Sequence, residues 1–211
     1  MELYEEIKRT IIEGRFKEVE ALINKALNEG NDPDNLVKEA CIPAMKTVGE
    51  KFESKEFFLP EMIVAAHTVK VALDILEPLF SKKQKESQLK AVVATVEGDQ
   101  HDIGKNLVIM MFKGAGFQVI DLGVDVPSVD IVKAVVENKP EILGLSALLT
   151  TTIPRLNEVI DGIKKEGVRD DVLIVVGGAP VNQDVADSCG ADIYARDPPS
   201  GVLEVEKQLG K

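Results

Sequence analysis

An acid and a histidine stand two residues apart near the middle of the chain, Asp99 and His101, and Gly104 follows three residues later. His101 is one of only two histidines in 211 residues. Neutral imidazole ligates transition metals well, and a nearby carboxylate fixes which ring nitrogen carries the proton. The surrounding stretch, Lys90 to Val108, reads KAVVATVEGDQHDIGKNLV. Its valine-rich run Ala91–Val96, bounded by charged residues, has the pattern of a buried parallel strand. Ile103, Leu107 and Met111 then recur at four-residue spacing, as on one face of a helix. Asp99 and His101 therefore occupy a turn where a strand ends and a helix begins, the edge at which open α/β sheets bind ligands. From this turn His101 is expected to reach out and ligate a metal.

The elements that hold the turn alternate strand and helix after residue 87. Strands are expected at Ala91–Val96, Gln118–Asp121, Ile142–Leu145, Val172–Val176 and Ile193–Tyr194. Helices are expected at Lys105–Gly114, Ser128–Glu137, Ile153–Glu166, Asn182–Cys189 and Gly201–Leu209. This α/β pattern fits a flavodoxin-like, five-stranded parallel Rossmann-type sheet of order 2-1-3-4-5. That order brings together the turns after strands 1, 3 and 4: Asp99–Gly104, Ser146–Thr152 and Gly177–Pro180. The second offers hydroxyl groups, and the Gly-Gly pair of the third lets a ligand approach backbone closely.

Residues 1–86 show no strand alternation. Leu3, Ile7, Ile11 and Ile12 mark one helix, and Phe16, Val19, Leu22, Ile23 and Leu27 a second that stops near Gly30. Asp34 is expected to cap a third, carrying Leu36, Ala40, Met45, Val48 and Phe52, with Pro43 a point of kinking or restart. Leu59-Pro60-Glu61 opens a fourth that runs to Leu79. The reading is an N-terminal four-helix bundle, 1–86, followed by the α/β domain, 87–211. The polar stretch Ser81–Ser87, SKKQKES, reads as the linker between them.

Bulk properties narrow the function. Hydrophobic residues make up 45%, enough for a substantial core, and the formal net charge is −11 with a pI of about 4.8. An acidic chain with 4% aromatics and no Trp argues against nucleic-acid and anionic-membrane partners. The start, MELYEEIKRT, has no apolar signal region, and no apolar run is long enough to span a bilayer. Cys41 and Cys189 lie far apart and read as free thiols, so a cytoplasmic location is expected.

Other readings of the central turn fit less well. Five residues rather than four separate Gly98 from Gly104, and Asn106 stands where a phosphate loop needs Ser or Thr. No G-x-G-x-x-G follows the first strand, which argues against a nicotinamide dinucleotide. A hydrolytic metal on Asp99, His101 and Asp102 needs further protein ligands, and His67 is in the helical half. A phosphoacceptor aspartate wants paired acids directly after strand 1. Taken alone, a single turn histidine reads as a surface or helix-capping group.

The order Asp99-x-His101-x-x-Gly104, then Ser146-x-Leu148, then Gly177-Gly178 resembles the cobalamin-binding domain of cobalamin-dependent methionine synthase and of the corrinoid proteins of methyltransferase systems. The helical half is similar too: FESKEFFLPEMIVAAHTVKVALDILEPL, Phe52 to Leu79, resembles the cap domain that precedes the cobalamin domain in that family. A chain of two such domains looks most like the stand-alone corrinoid proteins that serve methanol, methylamine, glycine-betaine or methoxyarene methyltransferases.

The resemblance implies a bound cobalamin or related corrinoid, such as methylcobalamin or hydroxocobalamin. His101 would displace the cofactor's own base and become the lower ligand of cobalt. Asp99 would hold its tautomer, and Thr152, where methionine synthase has Ser, would extend the network. Ser146, Leu148 and Thr150 would line the pocket of the displaced nucleotide tail, and Gly104, Gly177 and Gly178 would give it room. Asp102, Ile103 and Val126 would lie near the corrin edge, and Tyr194, Ala195 and Asp197 would border the tail. Phe52, Leu59, Met62 and Ile63 would cover the upper, methyl-bearing face, although their spacing reads equally as bundle core. His67 receives no role. The implied activity is methyl carriage: cobalt takes a methyl group through a substrate-specific methyltransferase, of TIM-barrel type, and yields it through a second methyltransferase to coenzyme M, another thiol or tetrahydrofolate. A reductive activation protein would be a third partner. The alternative is a cobalamin-binding sensor or regulator without methyl transfer; a flavodoxin-like receiver or mononucleotide binder is a third reading.

Overall fold

The structure is a computed structural model and describes residues 2–80 and 88–210. The expected linker Ser81–Ser87 lies outside the described residues. The chain divides into two units, Met1–Gln88 with Met110–Gln118, and Leu89–Ile109 with Val119–Lys211.

The first unit contains α1 (Glu2–Ile12), α2 (Phe16–Asn28), α3 (Pro33–Leu36), α4 (Ile42–Glu53) and α5 (Leu59–Leu76). Each long helix turns an apolar stripe inward, as its spacing requires. Ile7 and Ile11 of α1, Val19, Ile23 and Ala26 of α2, Ala44 and Val48 of α4, and Met62, Val69 and Leu76 of α5 have no exposed surface. Small residues Ala65, Ala66 and Ala72 let α5 pack against α1, α2 and α4. At the end of α2, Gly30 N–H donates to Leu27 O and Asn31 N–H to Ala26 O, the paired bonds that stop a helix there.

The third helix departs from expectation in two places. Its cap is Asp32, not Asp34: the Asp32 carboxylate accepts from Asn35 N–H at 3.2 Å. Pro33 takes the first helical position, where a missing N–H costs nothing. Then α3 passes through a π-helical turn, Val37–Cys41, directly into α4. Ile42 N–H donates back to Val37 O, one residue further than in an α-helix. This wider register carries the helix across Pro43, which has no N–H to give. Pro43 thus changes the hydrogen-bond register instead of ending the helix.

The second unit is the expected sheet. Its strands are β1 (Lys90–Thr95), β2 (Gln118–Asp121), β3 (Ile142–Ser146), β4 (Leu173–Gly177) and β5 (Ile193–Ala195), in the order β2-β1-β3-β4-β5. β1 pairs in parallel with β3, β3 with β4 and β4 with β5. The helices are α6 (Ile103–Gly114), whose residues from Met110 on are grouped with the first unit, α7 (Ser128–Asn138), α8 (Ile153–Lys165), α9 (Gln183–Cys189) and α10 (Pro198–Gln208). The core joins Val92, Leu143, Ile174 and Val176 of the strands to Ile131 of α7 and Leu156, Ile160 and Ile163 of α8. Helix α10 begins at Pro198, earlier than the expected Gly201. Asp197 caps it, accepting from Ser200 N–H at 2.8 Å, and both prolines fit the first turn. The register lines up Thr95, Ser146, Gly177 and Ala195 in one row at the carboxyl ends of four strands. All four side chains are small. Among the described residues no helix is long and apolar enough to cross a membrane.

Candidate functional site

The turns above that row are tied to one another by the Asp99 carboxylate. After β1 the chain makes a tight turn, Asp99 N–H donating to Val96 O at 3.1 Å. Gly98, third in this turn, has φ +83°, which a side chain would strain. The turn drives Asp99 inward until it has no exposed surface. Its Oδ1 accepts from the His101 backbone N–H at 3.1 Å and lies 2.7 Å from His101 Nδ1. Its Oδ2 accepts from Leu148 N–H at 2.6 Å, Leu149 N–H at 3.2 Å and Thr152 Oγ1 at 3.2 Å. Burial alone would raise this carboxyl's pKa. The Leu148 N–H, the His101 side chain and backbone, and the Thr152 hydroxyl outweigh burial and hold it below the ordinary carboxylate value. Asp99 is therefore an anion dedicated to accepting.

That anion decides the state of the ring. Nδ1 carries the proton and donates to Asp99, so the lone pair of the neutral imidazole is on Nε2. Thr95 Oγ1 donates to His101 O at 3.0 Å and steadies the backbone beneath the ring. The His101 side chain is 52% exposed, and Nε2 has no protein partner among the described residues. No group of three or more His, Cys, Asp or Glu among the described residues could hold a metal by itself. The site thus supplies one nitrogen, oriented and free, to a metal whose other ligands come from elsewhere.

The expected site residues of this unit differ in exposure. Asp102, Ile103, Gly104, Leu148 and Thr150 are exposed. Ile103 is 84% exposed, unusual for an isoleucine, and a Cβ on Gly104 would meet nothing within 4 Å. Ser146, the last residue of β3, and Tyr194, within β5, are half-buried. Thr152 and Val126 are buried, Val126 as the bridge partner of Val96, and Asp197 is engaged in capping α10. The glycine pair has a reason inside the protein. Ala147 N–H donates to Gly177 O at 3.0 Å, and a Cβ on Gly178 would lie 1.9 Å from Ala147 O. Only glycine permits the turns after β3 and β4 to touch this closely, and that contact sets Leu148 and Leu149 over Asp99.

In the helical unit, Leu59 and Ile63 on α5 are 43% and 42% exposed. Phe52 is half-buried, and Met62 lies in the bundle core with no exposed surface.

Two groups were invisible to motif reading. Lys105, on the first turn of α6, is buried, and its Nζ donates to both Asp121 oxygens at 2.8 and 3.0 Å and to Asn106 Oδ1 at 2.8 Å. A lysine is seldom buried unless paired, and the pairing anchors α6 to the end of β2. The Leu148 and Leu149 donors are backbone groups and leave no mark in a sequence.

Comparison with known proteins identifies the family. Residues 89–203 match a family model described as a B12 binding domain, and residues 3–77 match a second with the same description. A corrinoid protein of Desulfitobacterium hafniense is 41% identical over 100% of this chain and 99% of its own. The trimethylamine corrinoid protein of Methanosarcina barkeri is 39% identical over 99% of this chain and 97% of its own. The crystal structure of the methanol:cobalamin methyltransferase complex from Methanosarcina barkeri superposes with a TM-score of 0.83 at 29% identity, covering 99% of this chain and 80% of that one. With a buried acid presenting a free imidazole nitrogen at the switch point of the sheet, and with both halves matching B12 binding domains, the chain belongs to the B12-binding corrinoid proteins.

Proposed function

We propose that the protein is a methyl carrier: it holds a corrinoid that receives a methyl group within one methyltransferase and surrenders it within another. The observation that carries this reading is His101, its Nδ1 bound to a buried anion and its Nε2 free on a half-exposed ring. The residues present fit a corrinoid in three further respects. The donor set is a single nitrogen, as a metal already ringed by a macrocycle needs. The row Thr95, Ser146, Gly177 and Ala195 provides small side chains where a slender tail would run. Gly104 leaves open space beside the histidine.

When bound, cobalt supplies a centre that can take up and give back a methyl group. The chain's residues set the conditions. His101 Nε2 would hold the cobalt from below. Asp99 keeps the proton on Nδ1 and remains an acceptor for it whether Nε2 coordinates or is itself protonated. Ile103, Leu148 and Leu149, exposed apolar side chains, would exclude water around a bound corrinoid. Phe52, Leu59 and Ile63 would cover the reacting face, and Met62 supports α5 from within the core.

The two amine- and methanol-system relatives support a substrate-specific methyltransferase as the first partner. A second methyltransferase acting on a thiol or tetrahydrofolate, a reductive activation protein and a cytoplasmic location complete the proposal. The test is methyl transfer by the reconstituted protein with candidate first methyltransferases, supplied in turn with trimethylamine, dimethylamine or methanol. Multiple turnovers with one pair support carriage. Binding of the corrinoid without transfer from any donor would favour the sensor reading.

A further inference from the structure

Asp125 stands in the loop between β2 and α7, outside every motif that marks the site. Among the described residues it is one of three non-glycine residues with positive φ, at +54°. Asp tolerates this left-handed conformation better than most residues, yet the conformation persists only where the surroundings enforce it. What enforces it here is the histidine turn. Asp125 Oδ1 accepts from Gly98 N–H at 2.6 Å, and Asp125 N–H donates to Asp99 O at 2.8 Å. The left-handed backbone is what lets one residue present its own N–H and its side-chain oxygen to two consecutive residues of another loop. The flanking bonds run the same way: Thr95 N–H donates to Gly123 O at 3.0 Å and Val126 N–H to Thr95 O at 3.1 Å.

We propose that Asp125 is a positioning residue for His101: a clasp that holds the backbone of Gly98 and Asp99, and through Asp99 the ring. Asp99 is gripped on two sides. Its carboxylate is fixed by Leu148, Leu149 and Thr152, and its carbonyl by Asp125. Both grips are needed to aim Oδ1 at Nδ1, because a carboxylate pinned at one end only can swing with the peptide that carries it. The Gly98 bond has an ionised acceptor and is the stronger kind. Asp125 is itself exposed, and its carboxylate makes this one bond among those described, so its side chain serves the turn and no core.

The inference rests on the corrinoid reading, and three substitutions separate the two. Asp125→Asn keeps an acceptor oxygen and the tolerance for positive φ. Asp125→Gly removes the acceptor but relaxes the backbone. Asp125→Ala removes the acceptor and adds strain. Each apo-protein is titrated with hydroxocobalamin while the visible spectrum reports nitrogen ligation, alongside wild type and His101→Ala. The expected result is near-wild-type binding for Asn and about a tenfold loss for Gly, one hydrogen bond at 1.4 kcal/mol per decade. In the His101→Ala background the Gly substitution adds nothing. Wild-type binding and spectrum for Asp125→Gly, or an equal loss with and without His101, overturns the clasp. If wild type shows no histidine-dependent spectrum, it is the corrinoid reading that fails. Should the Gly and Ala variants not fold, hydrogen exchange of the wild-type Gly98 amide decides: it is slow with the clasp, and exchange at the rate of an exposed amide refutes it.

Discussion

Replacing Asp99 with Asn exchanges one oxygen for an NH2 and shows how the ring is prepared. Oδ2 receives three donors, Leu148 N–H, Leu149 N–H and Thr152 Oγ1, at 2.6 to 3.2 Å. Oδ1 receives two, both from His101. An amide nitrogen in the Oδ2 position would confront two N–H donors, with a hydroxyl that can turn its proton to Leu149 O at 2.9 Å, and in the Oδ1 position one N–H donor, with a ring nitrogen that can give up its proton. Each buried donor left unsatisfied costs about 1–3 kcal/mol, so Nδ2 settles against His101. Nδ1 must then accept instead of donate, and the ring proton moves to Nε2, where it occupies the lone pair that a metal needs. Losing the partner of a ligating histidine typically costs 10–100-fold in affinity, about 1.4–2.8 kcal/mol. The unpaired His101 N–H lowers stability by about 1–3 kcal/mol besides. Titration of the apo-variant with hydroxocobalamin, followed by visible spectroscopy, measures the first quantity and thermal denaturation the second. An Asp99→Asn protein with wild-type affinity and a wild-type spectrum would refute the reasoning.

Three further outcomes follow from the same structure. Gly178→Ala places a methyl group 1.9 Å from Ala147 O at φ +129°, so destabilisation of about 3 kcal/mol or more is expected in urea titration, and an unchanged midpoint would contradict the close approach of the two turns. The Asp99 carboxyl is held below its ordinary value of 3.8, so its contribution to stability is complete above that pH and disappears as the pH falls through the lower, folded-state value. Wild type should therefore lose more stability than Asp99→Asn between neutral and strongly acid pH, and parallel acid profiles would exclude the effect. Burial pushes the Cys41 thiol up to about 12 from 9.0, so its folded form keeps a proton that the unfolded chain gives up, and stability falls as pH rises from about 9 towards 12. A thiol reagent should leave Cys41 untouched in native protein near pH 8 and modify it on unfolding, whereas rapid native labelling at Cys41 would contradict its burial.

The sheet was legible because its signal is simple. Each strand is a short apolar run between polar turns, and the connectivity follows once helical spacing appears between the runs. Helix ends near proline were harder. Pro33 and Pro198 open helices behind the caps Asp32 and Asp197, and Pro43 is carried by a π turn. At the site, Asp99 and His101 could be read because side-chain chemistry and position coincide there. The rest of the site is mostly backbone. Leu148 and Leu149 act through their N–H groups, whose role depends on the turn of the chain and not on residue type. Gly177 and Gly178 were legible as glycines, but a Cβ on Gly178 would meet Ala147, a neighbour that only the packed turns reveal. Asp125 is hidden for a similar reason, since a positive φ at a non-glycine residue has no sequence signature.

The central claim is that this chain, through His101 Nε2, supplies the lower nitrogen ligand of the bound corrinoid. A corrinoid that lacks its own lower base tests it most directly, because no other nitrogen can then take that position. Wild-type protein bound to cobinamide should give the visible spectrum of a nitrogen-ligated cobalt, and His101→Ala should bind more weakly and give the spectrum of a water-ligated one. Identical spectra from the two proteins, both bound, would contradict the account.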